Sequence, residues 1–442
     1  MKQTSLPTVD FEKAVYAKVT RRIIPFLFLC YVFAYVDRVN VGFAKLQMQQ
    51  DLRISDAVYG AGAGIFFLGY FFFEIPCNIA LQKIGAKFWL GPIMVVWGLV
   101  SGCQMFVKSA GSLYIIRFLL GVVESGFFPG VILYLTFWYP QKYRAKMVAA
   151  FMTAIPLSGV IGGPISGWIL DSMLHTAGLR GWQWLFLFEA IPSILAGLAT
   201  IYVLDDRPRT ARWLKHDEKD LLERRLEEEE KAKSMASPGH HSLTDAFRSP
   251  KVWLLCLVYF GMVMVNYGVS FWLPQIVKDT LTKDPFRIGL LTAIPWAVAA
   301  VAMVAVGQHS DQTGERRWHI GLTSIICSVA FALSAIPGIS GALSLLAITL
   351  ATASIASSYS TFWALPTTIL SGTAASAGIA WINSVGNLAG YLSPYLVGKI
   401  RDTTHSMTLA LLMLSFCGLL SALITVLCFP DRKRTGEAKN GF

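Results

Sequence analysis

Five ionisable residues stand inside stretches that are otherwise apolar enough to enter a bilayer: Asp37, Arg38, Glu74, Arg117 and Glu124. A charge at the centre of a membrane span costs about 2.5–3.5 kcal/mol on insertion scales. A sequence that keeps five must turn them toward protein or water, and the chemistry they can do there is the handling of ions and protons. Arg38 is a permanent cation whose planar fork matches a carboxylate bidentately, so it is the candidate anchor for a small organic anion. Low dielectric opposes ionisation of a carboxyl and a neighbouring arginine favours it. That competition makes Asp37 and Glu124 candidate proton carriers, with Arg117 and Glu74 as further members of the set. Neighbours on a helix point about 100° apart, so Asp37 and Arg38 each need a partner elsewhere. Arg117 and Glu124 are seven residues apart, on nearly one face, which leaves Arg117 to pair with Asp37 across helices. The alternative is a buried charge network that only fixes helix packing. Glu189, near the end of a span, reads as an interface residue.

These charges need a lipid-embedded scaffold, and the composition supplies one. Of 442 residues 54% are hydrophobic and only 15% charged, against about 25% charged in a soluble domain. Twelve apolar stretches of about 20 residues are expected, near 23–45, 58–82, 88–107, 112–138, 144–170, 184–204, 252–277, 287–308, 318–337, 342–370, 374–398 and 407–429. They imply an all-α membrane protein with a tail over 1–22, a six-helix bundle over 23–204, a linker over 205–251, a second bundle over 252–430 and a tail over 431–442. Opposite charges alternate through Glu218–Glu230, which predicts an amphipathic linker helix. Ser234–Gly239 breaks it, and His240–His241 beyond is a weak metal pattern.

Basic residues cluster at Lys13–Arg22, Lys83, Lys87, Lys142–Lys146, the linker, Arg316–Arg317 and Arg432–Arg434. By the positive-inside rule both termini and the linker are expected to be cytoplasmic. The same rule accounts for the net charge of +11 without nucleic acid. The seven cysteines lie in or beside apolar runs without paired spacing, as small hydrophobes do. No cleavable signal peptide is expected. No metal-ligand set, cofactor motif, nucleotide loop or nucleophile elbow appears, so an enzyme is not expected.

The halves echo each other. Gly159, Gly163 and Gly167 in the fifth span match Gly386, Gly390 and Gly398 in the eleventh, as a duplicated six-helix unit predicts. Polar and aromatic residues that would complete a pocket are Tyr35, Asn40 and Tyr70 in the first half. Asn266, Tyr267, Trp272, Trp363, Asn383 and Asn387 are their counterparts in the second.

Together, Asp37-Arg38-Val-Asn40-Val-Gly42, Tyr70-x3-Glu74-Ile-Pro76-x-Asn78, Arg117-x3-Gly121-x2-Glu124-x-Gly126-x2-Pro129, Arg144-Ala145, Gly181-Trp182-Gln183-Trp184 and Asp206-x-Pro208 are diagnostic. Over essentially its full length the chain resembles the major facilitator superfamily and, within it, the anion:cation symporter family. The resemblance implies two pseudo-symmetric six-helix bundles that carry organic anions with protons, or sodium, by alternating access. It implies an inner-membrane monomer and a cargo such as tartrate, phthalate, nicotinate or hydroxyphenylacetate. Tyr35, Arg38, Tyr70, Trp363 and Asn383 are its strongest carry-overs for substrate binding, with Asn40 and Asn387 beside them. Gating would fall to Asp311, Arg316, Arg144 and Gln82, the last standing where the family usually has Asp. An aromatic or short hydroxy-carboxylate is the expected substrate. An exporter or a transporter-like sensor is the alternative.

Overall fold

The computed structural model describes residues 9–235, 249–369 and 372–429. Among these there is no strand, and the helices are α1 (Val9–Val39), α2 (Val41–Leu52), α3 (Asp56–Ile84), α4 (Ala86–Cys103), α5 (Ala110–Glu124), α6 (Phe127–Thr136), α7 (Gln141–Met152), α8 (Ala154–Ser172), α9 (Gly181–Val203) and α10 (His216–Met235). They continue as α11 (Pro250–Thr280), α12 (Pro285–Thr313), α13 (Arg317–Ser334), α14 (Gly341–Phe362), α15 (Ala364–Ile369), α16 (Gly372–Thr404) and α17 (Thr408–Cys428). Eleven stretches of the described residues are long and apolar enough to cross a membrane. The 33-residue α16, diluted by Ser, Asn and Gly, is a further long helix. His240–His241, the Arg432–Arg434 cluster and the side chain of Gln82 lie outside the described residues.

The chain divides into two compact units, Met1–Ile54 with Ile65–Gly239, and Ser55–Gly64 with His240–Phe442. The start of α3 thus belongs with the second unit, where 23–204 was expected to hold together. The reason is local. Asp402 accepts hydrogen bonds from the first-turn N–H groups of Asp56 (2.9 Å) and Ala57 (2.8 Å), an anion at a helix N-terminus. Arg401 joins Asp56 to Asp279.

In the first unit α1 and α2 form one 43-residue stretch, Asp10–Leu52. At 1.5 Å per residue that is about 65 Å, twice the hydrocarbon core. Part of the expected tail is therefore helix. Its start is held by the linker: Arg225 donates to Glu12 (2.7 Å) and Lys18 to Glu218 (2.6 Å), while Arg144 reaches Glu229 (3.3 Å). Trp213 stacks on Trp138 beneath the Arg22 guanidinium. The predicted amphipathic helix is thus α10, docked by its charges.

The contact that positions the site is the crossing of α3 and α5. A Cβ on Gly121 would fall 1.9 Å from the Phe66 carbonyl oxygen, and one on Gly69 would fall 2.3 Å from that of Phe118. Only hydrogens fit there, as in other membrane helix pairs built on small residues.

Gly121→Val should lower stability by about 1–3 kcal/mol, the usual cost of overpacking. Gly111→Ala, whose Cβ meets nothing closer than 3.9 Å, should leave it unchanged; thermal unfolding in detergent compares the two. A second expectation concerns Glu218. Partial burial opposes its ionisation, but hydrogen bonds from Lys18 and the Lys215 N–H, with both lysine charges, outweigh that and hold it below the usual glutamate range. A depressed folded-state value means the contribution is present above the unfolded value and lost as pH falls through the folded one. Proteolysis of the linker should therefore accelerate only at acid pH, and Glu218→Gln should flatten that dependence.

Candidate functional site

Asp37 and Arg38 sit on α1, Tyr70 and Glu74 on α3, and Arg117 and Glu124 on α5. The close α3–α5 crossing sets Arg117 and Glu124, one turn either side of Gly121, against the face carrying Phe66 and Tyr70. Arg38 reaches into that corner from α1. Its Nε donates to Glu124 Oε1 at 2.9 Å and its Nη2 bonds the same oxygen. Its guanidinium carbon lies 5.4 Å from the Tyr35 ring centroid, 5.3 Å from Phe66 and 5.9 Å from Tyr70. Rings at this range supply a negative face to the cation without carrying charge. Arg38 is 8% exposed and Glu124 1%. Glu124 Oε2 is buried and makes no hydrogen bond to the described residues.

Arg117 is fully buried, donates from Nη2 to the Arg38 carbonyl (3.2 Å), and lies 5.3 Å from the Phe66 ring. The expected pairing of Arg117 with Asp37 is not made. Asp37 turns the other way, as the 100° offset requires, and takes hydrogen bonds from Trp97 Nε1 (3.1 Å), Ser101 (3.1 Å) and Ser193 (2.5 Å). Three neutral donors from α4 and α9 satisfy it in place of a cation. Glu74 is half-buried one turn from Tyr70.

One placement corrects the sequence reading. Glu189 is not at an interface; it is 6% exposed, eight residues inside α9, and accepts from Ser166 (2.6 Å). Asn40 is 1% exposed and lies beside Glu189. The spacing held the signal for Glu189, since Ser193 is one turn on and shares its face. Trp97 and Ser101, also one turn apart, were missed as the partners of Asp37.

In the second unit Trp363 is half-buried at the break between α14 and α15, and Asn383 and Asn387 are half-buried one turn apart on α16. Trp363 meets the Tyr259 ring at 4.8 Å, and Tyr259 also contacts Tyr359 and Phe362. Tyr259, Tyr359 and Phe362 were missed, although Tyr359 precedes Trp363 by one helical turn and Phe362 is its chain neighbour. Trp272 is fully buried against Tyr59 and Tyr267 stacks on Phe271. Of the expected gating residues, Arg316 bonds Asp311 (2.5 Å) and Ser310 (2.8 Å), and Arg144 holds the Tyr139 carbonyl and Glu229.

Residues 27–394 match the sequence profile described as Major Facilitator Superfamily. The chain belongs to the major facilitator superfamily. Among family members it is 46% identical to the "Putative metabolite transport protein NicT" of Pseudomonas putida, over 94% of each chain. It is 44% identical to a "Putative tartrate transporter" of Agrobacterium vitis, over 99% of this chain and 96% of that one. It is 37% identical to the "Quinolone resistance transporter" of Acinetobacter baumannii, over 96% and 97%. These similarities are consistent with the anion:cation symporter branch of the family. A D-xylose-proton symporter structure shares the fold, with a TM-score of 0.73 at 15% identity over 93% of this chain and 98% of that one. The protein is a multi-pass membrane transporter of this family and not an enzyme.

Removing one partner of a buried ion pair leaves the other uncompensated. Glu124→Leu should cost about 3–5 kcal/mol, and adding Arg38→Met should recover most of it. Equal melting temperatures for wild type and the single variant would refute this account of the pair.

Proposed function

We propose that this transporter takes up a small organic carboxylate together with protons, by alternating access, across a bacterial inner membrane. Both termini and α10 then face the cytoplasm. The observation that carries the reading is the Arg38–Glu124 pair. Arg38 is a deeply buried cation held through two nitrogens by one oxygen of one carboxylate, within a wall of Tyr35, Phe66 and Tyr70. A substrate carboxylate is the same chemical group as Glu124 and competes for the same fork.

A proton on Glu124 Oε2 removes the charge that holds Arg38, and the guanidinium then turns to the substrate. When the substrate leaves, Arg38 needs Glu124 ionised again, and the proton departs. Binding of anion and proton are thus linked through one cation. Arg117, donating to the Arg38 carbonyl, fixes the backbone from which Arg38 turns. Asp37 keeps its three neutral donors while Arg38 moves and serves as a second acid; sodium in its place is an outcome of the same assay.

Support for the cargo comes from two sides. The relative named as a tartrate transporter points to a short hydroxy-carboxylate, whose hydroxyls Asn383 and Asn387 suit. The cluster of Tyr259, Tyr359, Phe362 and Trp363 suits a flat ring. The relative named for quinolone resistance favours a second reading, export of an anionic compound, which would run against the opposite proton gradient.

Proteoliposomes loaded at neutral pH and placed in acid medium should accumulate L-tartrate or an aromatic monocarboxylate, and collapse of the gradient should release it. Charge-assisted hydrogen bonds are worth about 1.5–3 kcal/mol, so Arg38→Ala should weaken binding about 10- to 100-fold. Glu124→Gln should no longer respond to the gradient. Full gradient response in Glu124→Gln, or unchanged affinity in Arg38→Ala, would overturn the reading.

A further inference from the structure

Unit one holds an acid for which the Arg38–Glu124 exchange has no use. Glu189 lies inside α9, 6% exposed. Its Oε1 takes the Ser166 hydroxyl at 2.6 Å, while its Oε2 is buried and makes no hydrogen bond to the described residues. Beside it is the Asn40 side chain, 1% exposed and within hydrogen-bonding reach of the Glu189 carboxyl, although neither amide atom meets a partner at full hydrogen-bond geometry. Carboxyl and amide are thus neighbours whose bond is not fully made.

The charged groups around Glu189 give it no counter-ion. The helices packed against α9 include α1, α2, α4 and α8. Asp37 on α1 is the charged group that acts on Glu189, and it is of like sign. Arg38 is committed to Glu124, and Lys45 on α2 bonds Gln49. Asp51 on α2 is bound by Trp182 and Arg180 at the far end of the helix, and Asp171 on α8 is exposed. A buried carboxylate without a cation is costly unless it is neutralised or hydrogen-bonded.

We propose that Glu189 is a further proton-carrying acid of the transport cycle and that Asn40 is the amide that hydrogen-bonds it in both protonation states. An amide presents an acceptor and a donor from one planar group. With the proton on Oε2, the Oε2–H donates to Asn40 Oδ1. With the proton gone, the amide turns over and Nδ2–H donates to the bare Oε2. One proton is taken up and one is given back, and neither state leaves the pair without a bond. Ser166 donates to Oε1 in both.

The link to the rest of the unit is short. Ser193, one turn along α9 from Glu189, donates to Asp37 Oδ2 at 2.5 Å. Asp37 is the chain neighbour of Arg38. Protonation of Glu189 removes a negative charge that interacts with Asp37, so the state of α9 is felt on α1 beside the substrate cation. Asn40, two residues beyond Arg38, is the junction residue between α1 and α2. It is therefore a positioning residue for Glu189 in this proposal, in place of the substrate contact expected from sequence.

The proposal rests on the proton-coupled reading, and its test separates the two. Infrared difference spectra of the full-length protein in liposomes, recorded across a pH step, use the proton itself as probe. The wild type should show a carboxylic-acid carbonyl band that Glu189→Gln lacks. Asn40→Leu and Ser166→Ala should shift that band, and they keep the test alive if Glu189→Gln does not fold. In proteoliposomes with L-tartrate as probe, the reversal potential should give fewer protons per tartrate for Glu189→Gln than for wild type. That ratio is a per-cycle count and does not depend on how much protein is active. Spectra of Glu189→Gln that superimpose on the wild type, with an Asn40→Leu band in its original place, would overturn the proposal. Wild-type tartrate flux indifferent to the pH gradient would instead defeat the coupling reading, while the spectra would still decide whether Glu189 holds a proton.

Discussion

A guanidinium buried within a bundle of membrane-spanning helices is the constraint around which the first unit is built. Arg38 cannot shed its charge, so it requires an anion, shielding from lipid and a fixed place in the bundle. Glu124 supplies the anion. Tyr35, Phe66 and Tyr70 supply the shielding, each within 6 Å of the guanidinium carbon. The bare crossing of α3 and α5 at Gly69 and Gly121 brings shield and anion to one side of α1. Any of these alone has an ordinary packing explanation. Their convergence on one cation gives a site with a single occupied slot, for which an outside carboxylate can compete.

The neighbouring acid is managed by the opposite strategy. Asp37 is fully buried, yet three neutral donors hold it: the indole of Trp97 and the hydroxyls of Ser101 and Ser193. Neutral donors stabilise a carboxylate without binding its charge permanently, whereas a cation would lock it. One turn of α1 thus carries a charge-compensated residue and a dipole-compensated one, directed to different helices. The pair α4 and α9, which carries the donors, packs closely through Gly98 and Gly197. Helix packing and the hydrogen bonding of Asp37 are one arrangement in this unit.

Much of this was legible in the sequence. The span positions followed from apolar length, and the five intramembrane charges from their rarity. The turning apart of Asp37 and Arg38 followed from helix geometry. What sequence did not supply was the choice of partner across helices. Two acids and two arginines allow more than one pairing, and only the depth of α5 against α1 selects Glu124 for Arg38. Glu189 was misplaced because it falls only five residues after the expected start of its span at 184, whereas α9 begins at Gly181 and eight residues of helix carry a side chain about 12 Å in. The first 22 residues read as a tail because their charges resemble a solvated segment. Those charges are instead the counterparts of α10, a relation between residues some 200 apart that no local pattern records.

The two units divide the physical work unequally. In the described residues of the second unit the ion pairs lie at helix ends, among them Arg401 with Asp56 and Asp279, Arg316 with Asp311 and Arg287 with Asp284. Its interior is hydroxyls that bond their own helix backbone, as Ser357, Thr361 and Thr352 do, and aromatic rings around Tyr259. Rings and hydroxyls tune shape and hydrogen bonding but cannot couple to a proton gradient near neutral pH. Carboxyls can. On the proposed reading Arg38 and Glu124 link the cargo's carboxylate to the proton, and the rings and hydroxyls of the second unit can change without disturbing the charge balance around Arg38.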